Sequence, residues 1–384
     1  MLSDLDSRRL KFAATIHPQA TLVPGDIRTV KSEIVASIKE RVGEDTLLLS
    51  ITPPCQGMSA NGIKTILRAV QNGLREPVDQ RNYLILPALE IVQETMPDFV
   101  FFENVPEARS TYLIVDGRPV TVIDYISERL RGIGYAGEAR LINFAEYGVP
   151  QTRKRIVAIF YKLTPHGSME LFPSPVKARP RLKDIIGALP KLDARNKRTS
   201  KSRFHPLHAV PVMRESLYEW VSLTPEGRSA LENNECTQCK HLNKNDELYC
   251  AGCRHILPKP YVIKDGMKRL VKGYNSSYRR LRWNAPANTV TTRSAFASSA
   301  YNLHPSQNRV LSAYECSLLQ GFNPEHVDWI EEGSRIYPDF LIREMIGEAV
   351  PVTFTRLVGE MLQKNASSYI PEDARSGKEM LTIG

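Results

Sequence analysis

Short apolar runs alternate with amphipathic segments over the first 160 residues, and this alternation constrains the fold more than any other feature of the sequence. The strand-like runs are residues 46–51, 98–102, 139–143 and 155–161, and the helix-like segments are residues 83–95 and 121–131. Alternating strands and helices predict an α/β domain built on a mostly parallel sheet. In such sheets, ligands bind beyond the carboxyl ends of the strands.

Two reactive side chains directly follow predicted strands. Cys55 comes after the 46–51 run in the sequence Thr-Pro-Pro-Cys, and Glu103 comes directly after the 98–102 run. Both are therefore expected in the crevice at the carboxyl edge of the sheet. Each also has a structural interpretation when taken singly, because a cysteine after a strand is often a small buried hydrophobe and a glutamate there often caps a turn or a helix.

A glycine-rich segment, residues 132–137, matches the GxGxxG pattern of dinucleotide-binding loops letter for letter. That loop requires a strand before it and a helix after it. Here the segment follows the predicted helix 121–131 and precedes a predicted strand, so its glycines are interpreted as the end of the helix. The sequence therefore predicts no dinucleotide site at this position.

Four of the six cysteines form two CxxC pairs separated by ten residues. The four are Cys236, Cys239, Cys250 and Cys253. Each pair can supply two thiolates to a tetrahedral zinc ion, and four sulfur ligands leave no open position, so the pattern predicts a structural zinc site. Disulfides are the alternative, but nothing in the sequence indicates secretion, and cytosolic thiols stay reduced. The sixth cysteine, Cys316, lies in a helix-like segment and is interpreted as a packing residue.

The positive charge of the chain is concentrated in its middle. The 384 residues carry a formal net charge of +9, whereas residues 171–282 contain 23 Lys and Arg against 10 Asp and Glu, a net of +13 that leaves −4 for the rest. A basic segment in a mildly acidic protein is typical of a nucleic-acid contact surface, because phosphates dominate such binding. The densest stretch is residues 177–203, for which a solvated basic loop is the alternative.

The composition is that of a globular protein. Hydrophobic residues make up 42% of the chain, which argues against a wholly disordered protein. No run approaches the roughly 18 apolar residues of a membrane span, and the polar N-terminus lacks the apolar core of a signal peptide. We therefore expect a cytoplasmic protein without a membrane partner, and the length predicts two or three domains.

Ordered blocks across most of the chain resemble the cytosine-5 DNA methyltransferases of bacterial restriction-modification systems. The blocks in the first part are residues 52–57 (TPPCQG), 102–105 (FENV) and 147–155 (YGVPQTRKR). Those in the second part are residues 280–283 (RLRW), 286–292 (PANTVTT), 304–305 (HP), 309–311 (RVL), 319–322 (LQGF) and 347–351 (GEAVP). Any one tripeptide is unspecific, but the order and spacing of the whole set are specific.

The resemblance implies a Rossmann-like methyltransferase fold and roles for the residues at the strand ends. Cys55 is implied as the nucleophile that adds to C6 of cytosine, because C5 must be activated before it accepts a methyl group. Glu103 is implied as an acid near N3, and Arg153 and Arg155 are implied as groups that anchor the base carbonyl, hold the loop or stabilise developing charge. The implied methyl donor is S-adenosylmethionine, and the implied substrate is double-stranded DNA with the target cytosine flipped out.

The cofactor side departs from the family's pattern. The family's first strand carries a Phe-x-Gly-x-Gly loop that has no counterpart in this sequence. The resemblance carries cofactor contacts onto Asp4, Asp26, Pro53 and Glu348, the last of which replaces the usual asparagine. Three explanations are open: a second polypeptide supplies the missing strand, the coding sequence begins further upstream, or the chain is a decayed enzyme that binds DNA. Because loss of a strand exposes apolar surface in a parallel sheet, little activity is expected from the chain alone.

The predicted organisation has three parts. Residues 1–164 form a catalytic domain, residues 165–330 form a target-recognition domain with zinc-ribbon-like cysteine pairs, and residues 331–384 return to the catalytic domain. The large insert between the Arg153 and Arg280 blocks favours DNA as the substrate, because side chains that read a sequence need extra surface. RNA cytosine-5 methylation and DNA binding without catalysis are the alternatives.

Overall fold

The chain forms two compact units, each discontinuous in sequence. The computed structural model describes residues 1–42, 47–58, 79–163, 169–327, 329–331 and 334–369. The first unit contains Met1–Asn143, Lys154–Pro175 and the described residues from Phe354 onward. The second unit contains Phe144–Arg153 and Val176–Thr353.

Strands and helices are numbered along the chain. The strands are β1 (Leu2–Asp4), β2 (Leu22–Pro24), β3 (Leu48–Ile51), β4 (Phe99–Asn104), β5 (Tyr112–Val115), β6 (Arg118–Thr121), β7 (Tyr135–Asn143), β8 (Gln151–Thr152), β9 (Lys154–Lys162), β10 (Tyr261–Lys264), β11 (Met267–Leu270), β12 (Ala287–Asn288), β13 (Ile330–Glu331) and β14 (Ser334–Arg335). The α-helices are α1 (Ser7–Ile16), α2 (Ile27–Val42), α3 (Ile85–Thr95), α4 (Val122–Gly132), α5 (Leu182–Ile186), α6 (Glu215–Ser222), α7 (Ala313–Gln320), α8 (Asp339–Glu348) and α9 (Val352–Tyr369). None of these described helices has both the length and the apolarity needed to cross a membrane.

Four strands of the first unit form one sheet in the order β3–β4–β9–β7. β3 and β4 run parallel, with Ile51 opposite Phe102, whereas β9 runs antiparallel to both β4 and β7. Three of the four strands therefore point the same way, but the prediction of a mostly parallel sheet requires a correction, since two of the three hydrogen-bonded pairs are antiparallel. The reason is the short connection from β7 to β9, because a parallel return would need a longer crossover.

β1 and β2 form a separate two-stranded parallel sheet in the same unit. Asp4 at the end of β1 lies opposite Pro24 at the end of β2. Val23 of β2 and Ile34 of α2 belong to one apolar cluster, against which Leu49 of β3 also packs. Within the described residues, β1 pairs only with β2 and β3 pairs only with β4, so each strand keeps one open edge.

A buried core of the first unit joins β4 to helices α3 and α4, through side chains such as Leu89, Phe102 and Ile126. Helix α3 tolerates Pro87 because this residue lies in the first turn, where a backbone N–H has no partner within the helix. Helix α4 ends at Gly132, and Gly134 has φ +90° ahead of β7. The interpretation of the GxGxxG-like segment as a helix end is therefore confirmed.

The second unit consists of short helices and strands joined by irregular segments. Helix α7 begins with a capping box, in which the Ser312 hydroxyl accepts from the N–H of Glu315 at 3.1 Å and the Glu315 carboxylate accepts from the N–H of Ser312 at 2.7 Å. Cys316 on this helix is only 1% exposed, and burial raises the pKa of its thiol to about 11. Its interpretation as a packing residue is confirmed.

The boundaries of the two units differ from the predicted domain boundaries after residues 164 and 330. Residues 144–153 already belong to the second unit, in which β8 pairs with β12 in parallel. The second unit continues through helix α8 to Thr353, and the chain then returns to the first unit in helix α9. These boundaries are set by strand pairing and helix packing between segments that are distant in sequence. The residue composition along the chain does not reveal such contacts.

Candidate active site

Cys55 lies in a tight turn directly beyond the carboxyl end of β3. After Ile51 the chain is extended through Pro54, and Cys55–Gly57 then form a 3₁₀ turn closed by a hydrogen bond from the N–H of Met58 to the carbonyl of Cys55 at 3.0 Å. The preceding proline fixes φ at −54° and so sets the direction in which the turn leaves the strand. The cysteine side chain is half-buried, as a nucleophile that receives a substrate requires.

Asn104 holds the Pro-Cys segment against the end of the neighbouring strand. Its side-chain amide donates to the carbonyl oxygen of Pro53 at 3.1 Å, and its side-chain oxygen accepts from the N–H of Val105 at 2.8 Å. The residue is 2% exposed, so these bonds are shielded from water. Asn104 therefore fixes the position of the segment that carries Cys55.

A second 3₁₀ turn, Gln80–Leu84, packs against the Cys55 turn. A Cβ added to Gly57 would lie 2.8 Å from Cγ of Asp79 and still closer to the side-chain oxygen of Asn82, so only glycine fits there. Asp79 is 3% exposed and accepts two hydrogen bonds from the guanidinium of Arg81, at 3.0 and 2.7 Å. Two closely packed turns therefore surround the cysteine.

The charge of Arg81 acts on Cys55. The hydrogen-bonded carboxylate of Asp79 raises the pKa of Arg81 against the opposing effect of burial, and the Coulombic attraction of Cys55 also raises it. The guanidinium of Arg81 therefore lies close enough to the Cys55 sulfur for the two groups to interact electrostatically. Sequence reasoning did not assign a role to Arg81 or to Asn104, since a short Asp-x-Arg pattern and a strand-end asparagine are both common in turns.

Glu103 and Arg155 form an ion pair on adjacent strands of the sheet. Glu103 is the penultimate residue of β4 and Arg155 the second residue of β9, and Nε of Arg155 lies 3.0 Å from Oε1 of Glu103. Their side chains are 9% and 14% exposed, so the pair is largely removed from water. The first unit thus brings Glu103 and Arg155 together at the end of β4, next to the strand that leads to Cys55.

Arg153 belongs to the second unit, where its guanidinium is 2% exposed and Nη1 donates to the carbonyl of Val290 at 3.1 Å. The neighbouring Gln151 accepts from the N–H of Val290 at 3.0 Å and donates to the carbonyl of Leu319 at 2.8 Å. The blocks around residues 151, 290 and 320 therefore interlock inside one unit. Of the roles named for Arg153, these contacts fit that of holding the loop.

Two of the predicted cofactor residues lie at the carboxyl ends of the paired strands β1 and β2. The side chain of Asp4 accepts from the N–H of Asp6 at 2.8 Å. Asp26 follows β2 and is hydrogen-bonded to Arg28, which lowers the pKa of Asp26 to about 2. A carboxylate accepts about four hydrogen bonds, and Arg28 already donates four to Asp26, so a ligand at Asp26 would replace part of that interaction. Adjacent strand ends suit an extended ligand such as S-adenosylmethionine.

The other two predicted cofactor residues, Pro53 and Glu348, belong to different units of the chain. Pro53 lies in the first unit, where its carbonyl accepts the bond from Asn104. Glu348 is the last residue of helix α8 in the second unit and is half-buried. The glycine before it allows a close approach, because a Cβ on Gly347 would lie within 3.0 Å of the Thr291 backbone.

The four predicted zinc ligands converge in the second unit. Their sulfur atoms all lie within 4.8 Å of one another, and the pairs Cys236–Cys253 and Cys239–Cys250 are 3.6 and 3.5 Å apart. A tetrahedral ion with Zn–S bonds of about 2.3 Å has sulfur–sulfur edges of about 3.8 Å, so the group fits zinc. The separations are far beyond the roughly 2.05 Å of a disulfide.

The backbone repeats the same turn in both CxxC pairs. The N–H of Cys236 donates to the carbonyl of His241 at 3.0 Å, and the N–H of Cys250 donates to that of His255 at 2.8 Å. The residues that follow each second cysteine, Lys240 and Arg254, both have φ +62°. In the first pair, the backbone N–H of Cys239 lowers the pKa of the Cys236 thiol. Backbone donors that favour thiolates are suited to metal ligation.

Comparison with known proteins identifies the family. The C-5 cytosine-specific DNA methylase family matches residues 2–364. The chain belongs to this family. The methylase is 31% identical to the Type II methyltransferase M1.HgaI of Avibacterium volantium over 359 residues. This alignment covers 91% of this chain and 87% of the relative. It is 25% identical over 277 residues to the Type II methylase M.HgiDII of Herpetosiphon aurantiacus, with coverage of 71% and 67%.

Solved structures share the fold of this methylase. A DNA modification methyltransferase encoded within an E. coli prophage superposes with a TM-score of 0.56 at 16% identity, over 94% of this chain and 92% of the other. The DNMT2 protein of Spodoptera frugiperda gives a TM-score of 0.54 at 12% identity, over 94% and 91%. The predicted Rossmann-like methyltransferase fold is confirmed, and the protein is a DNA (cytosine-5-)-methyltransferase, as its sequence blocks indicated.

Proposed function

We propose that this enzyme methylates C5 of a cytosine within a specific double-stranded DNA sequence, through a covalent bond between Sγ of Cys55 and C6 of the base. The observation that carries the proposal is the arrangement at the ends of β3 and β4. The half-buried Cys55 turn is fixed by Asn104, and the residue before Asn104 on β4, Glu103, forms the ion pair with Arg155. A nucleophile and an acid on adjacent strand ends match the needs of cytosine addition.

The steps follow from the chemistry of these groups. The thiolate of Cys55 donates an electron pair to C6, the C5–C6 π pair forms a C4=C5 bond, and the C4=N3 π pair moves onto N3, which Glu103 stabilises by hydrogen bonding or proton donation. S-adenosylmethionine, when bound, supplies the methyl group that C5 then takes up. Loss of the C5 proton to a base returns the electrons, the C6–S bond breaks, and Cys55 leaves as thiolate. Arg155 keeps the Glu103 carboxyl group in place at 3.0 Å.

Arg81 prepares the nucleophile in this scheme. Its positive charge favours the thiolate of Cys55, while Asp79 holds the guanidinium in position through two hydrogen bonds. We expect Arg81→Gln to slow alkylation of Cys55 by iodoacetamide at pH 7. Arg118→Gln, an exposed arginine on the β5–β6 hairpin, is the matched control and is expected to leave the rate unchanged.

The covalent step is tested with DNA that contains 5-fluorocytosine. The fluorine replaces the proton that must leave C5, so the enzyme, assayed together with the strand-forming peptide described below, is expected to remain attached to the DNA in denaturing gels. Cys55→Ser is expected to abolish both this complex and the transfer of labelled methyl groups, whereas Cys316→Ala retains them. A Cys55→Ser variant that still transfers methyl, or a wild-type chain that methylates total tRNA and not duplex DNA, would refute the proposal.

An additional strand is part of the proposed functional state. β1 and β3 each keep an open edge within the described residues. β1 pairs with β2, which contributes Val23 to an apolar cluster, and Leu49 of β3 packs against the same cluster. An open edge of a parallel sheet favours pairing with a further strand. Such a strand would lie next to Asp4, one of the predicted cofactor contacts, and so would complete the cofactor side.

We expect the 384-residue chain to transfer little methyl by itself. A synthetic strand-forming peptide that carries a Phe-x-Gly-x-Gly loop is expected to restore transfer, and the same peptide with proline inside its strand is the control, because proline removes a ladder hydrogen bond. Robust transfer by the chain alone would show that no further strand is needed. The proposed reaction would still be supported by that result.

A structural zinc ion is the second component of the proposal. Its ligands would be Cys236, Cys239, Cys250 and Cys253, whose sulfur separations suit a tetrahedral ion. Four thiolates fill the coordination sphere, so the ion would stabilise the fold of this segment and take no part in the chemistry. The supporting backbone is the repeated turn in the two CxxC pairs.

A further inference from the structure

An exposed β-hairpin follows the cysteine cluster directly in the sequence. β10 and β11 pair antiparallel, and their turn, Asp265-Gly266, has φ +53° and +73° at its two positions. Positive φ at both positions is typical of the tight two-residue turns that continue the strand twist. Every residue from 262 to 269 is exposed, so the whole hairpin except its end residues Tyr261 and Leu270 faces solvent.

The exposed surface of this hairpin combines apolar and basic side chains. Val262, Ile263 and Met267 are 52%, 69% and 57% exposed. Lys264 and Arg269 point to the same face as Met267 and Val262, because directly paired residues share a face. Such a concentration of exposed apolar side chains between cations is unfavourable in water and typical of a binding surface.

The base of the hairpin is fixed although its tip is exposed. The ring of Tyr261 packs edge-on against the buried ring of Trp220, with centroids 5.3 Å apart. The ammonium of Lys268 lies 4.8 Å from the centre of the Tyr261 ring. Just before β10, Lys259 is fully buried and donates to the carbonyls of Lys244, Asn245 and Glu247, which lie between the two CxxC pairs. The cysteine segment thus supports the hairpin.

A second hairpin in the same chain has nearly the same turn but carries no excess of basic side chains. β5 and β6 are joined by Asp116-Gly117, with φ +50° and +74°, nearly the same turn. Residues 112–121 carry one Asp and one Arg, a net charge of zero, whereas residues 261–270 carry two Lys and one Arg against one Asp, a net charge of +2. The excess of cations distinguishes β10–β11 from β5–β6, so the geometry of the hairpin does not account for it.

We propose that the β10–β11 hairpin enters the major groove of the DNA substrate and contributes to the choice of methylated sequence, an inference that rests on the proposed function. Two-stranded ribbons fit a groove about 12 Å wide, and four-residue strands of about 13 Å are long enough to reach base edges. Lysine and arginine meet phosphates and guanine edges, and apolar side chains contact thymine methyl groups. Lysines on both strands disfavour pairing with another protein strand.

The electrostatic part is tested by binding to a fluorescent 30-base-pair duplex of random sequence, titrated at several salt concentrations. The triple variant K264A/K268A/R269A is expected to bind about tenfold or more weakly at 0.1 M salt, and its log–log salt slope is expected to fall by about 2–3, since each phosphate contact contributes about 0.9. Arg118→Ala on the neutral β5–β6 hairpin is the control and is expected to change neither quantity. Unchanged binding by the triple variant would overturn the inference.

The specificity part is tested by mapping methylated cytosines in a plasmid library treated with wild-type enzyme or with Ile263→Ser and Met267→Ser variants. We expect the variants, assayed like the wild-type enzyme with the strand-forming peptide, to methylate additional sequences so that the share of transfer at the wild-type sites falls, while Ile114→Ser on β5 leaves the pattern unchanged. Identical maps would refute a role in sequence choice. If the wild-type chain transfers no methyl group in any form but its duplex binding still depends on the hairpin, the proposed function fails and the hairpin surface stands.

Discussion

At the scale of single residues, Gly57 shows how closely the turn around the nucleophile is packed. A Cβ at this position would overlap with Asn82 and lie 2.8 Å from Cγ of Asp79, and both neighbours are buried. We expect Gly57→Ala to destabilise the protein by about 1–3 kcal/mol and to reduce methyl transfer at least tenfold, because the Cys55 turn must shift. Gly132→Ala is the control, since no atom lies within 4 Å of its added Cβ. Thermal unfolding and transfer assays compare the two.

Also at the residue scale, the ion pair of Glu315 with Arg309 makes stability depend on pH. Burial alone would raise the pKa of Glu315, but Arg309 and the N–H of Ser312 outweigh it and hold the pKa near 2, below its ordinary 4.5. A depressed carboxyl pKa contributes stability above pH 4.5 that is lost as the pH falls toward 2. Denaturant titrations should show this loss, and Glu315→Gln should flatten it while lowering stability by about 3–5 kcal/mol at pH 7. Equal pH profiles would contradict the assignment.

At the scale of elements, the proposed zinc site makes the stability of the cysteine segment depend on metal. We expect one zinc per chain by elemental analysis, and we expect removal by a chelator to increase amide hydrogen exchange in residues 234–260 and at the base of the β10–β11 hairpin. Strand β4, in the other unit, should retain its protection. Cys250→Ser should lose the metal and Cys316→Ala should keep it. A metal-free wild-type protein with unchanged exchange would exclude zinc.

The elements themselves were predicted with different success for physical reasons. β4 and helix α4 lie close to the predicted 98–102 and 121–131, because their apolar patterns are local. The direction of β9 was not predicted, since strand pairing depends on partners distant in sequence. The clamp from Asn104 to Pro53 was likewise missed, because it joins residues 51 positions apart.

At the scale of the whole molecule, the first unit depends on helix α9, which follows the second unit in the sequence. Phe354, Val358 and Leu362 of helix α9 are 0%, 2% and 1% exposed, and this part of the chain belongs to the first unit. Each buried side chain contributes about 1.5–3 kcal/mol, so their removal costs as much as a domain's net stability. We expect truncation after Thr353 to abolish exchange protection in β4 and β9. The cysteine segment should keep its metal, and full protection in the truncated chain would contradict this dependence.

The sequence by itself determined the family and the reaction class. It also nominated Cys55, Glu103 and the four paired cysteines for the proposed active site and zinc cluster, because their residue types, order and spacing form a local signal. The tertiary structure alone decided which groups meet. It paired Arg155 with Glu103 in the first unit and turned Arg153 toward Val290 within the second unit. It also placed Arg81 within electrostatic reach of Cys55 and left the edges of β1 and β3 open among the described strands. Contacts between distant segments depend on packing and strand pairing, which a linear pattern of residue types does not contain.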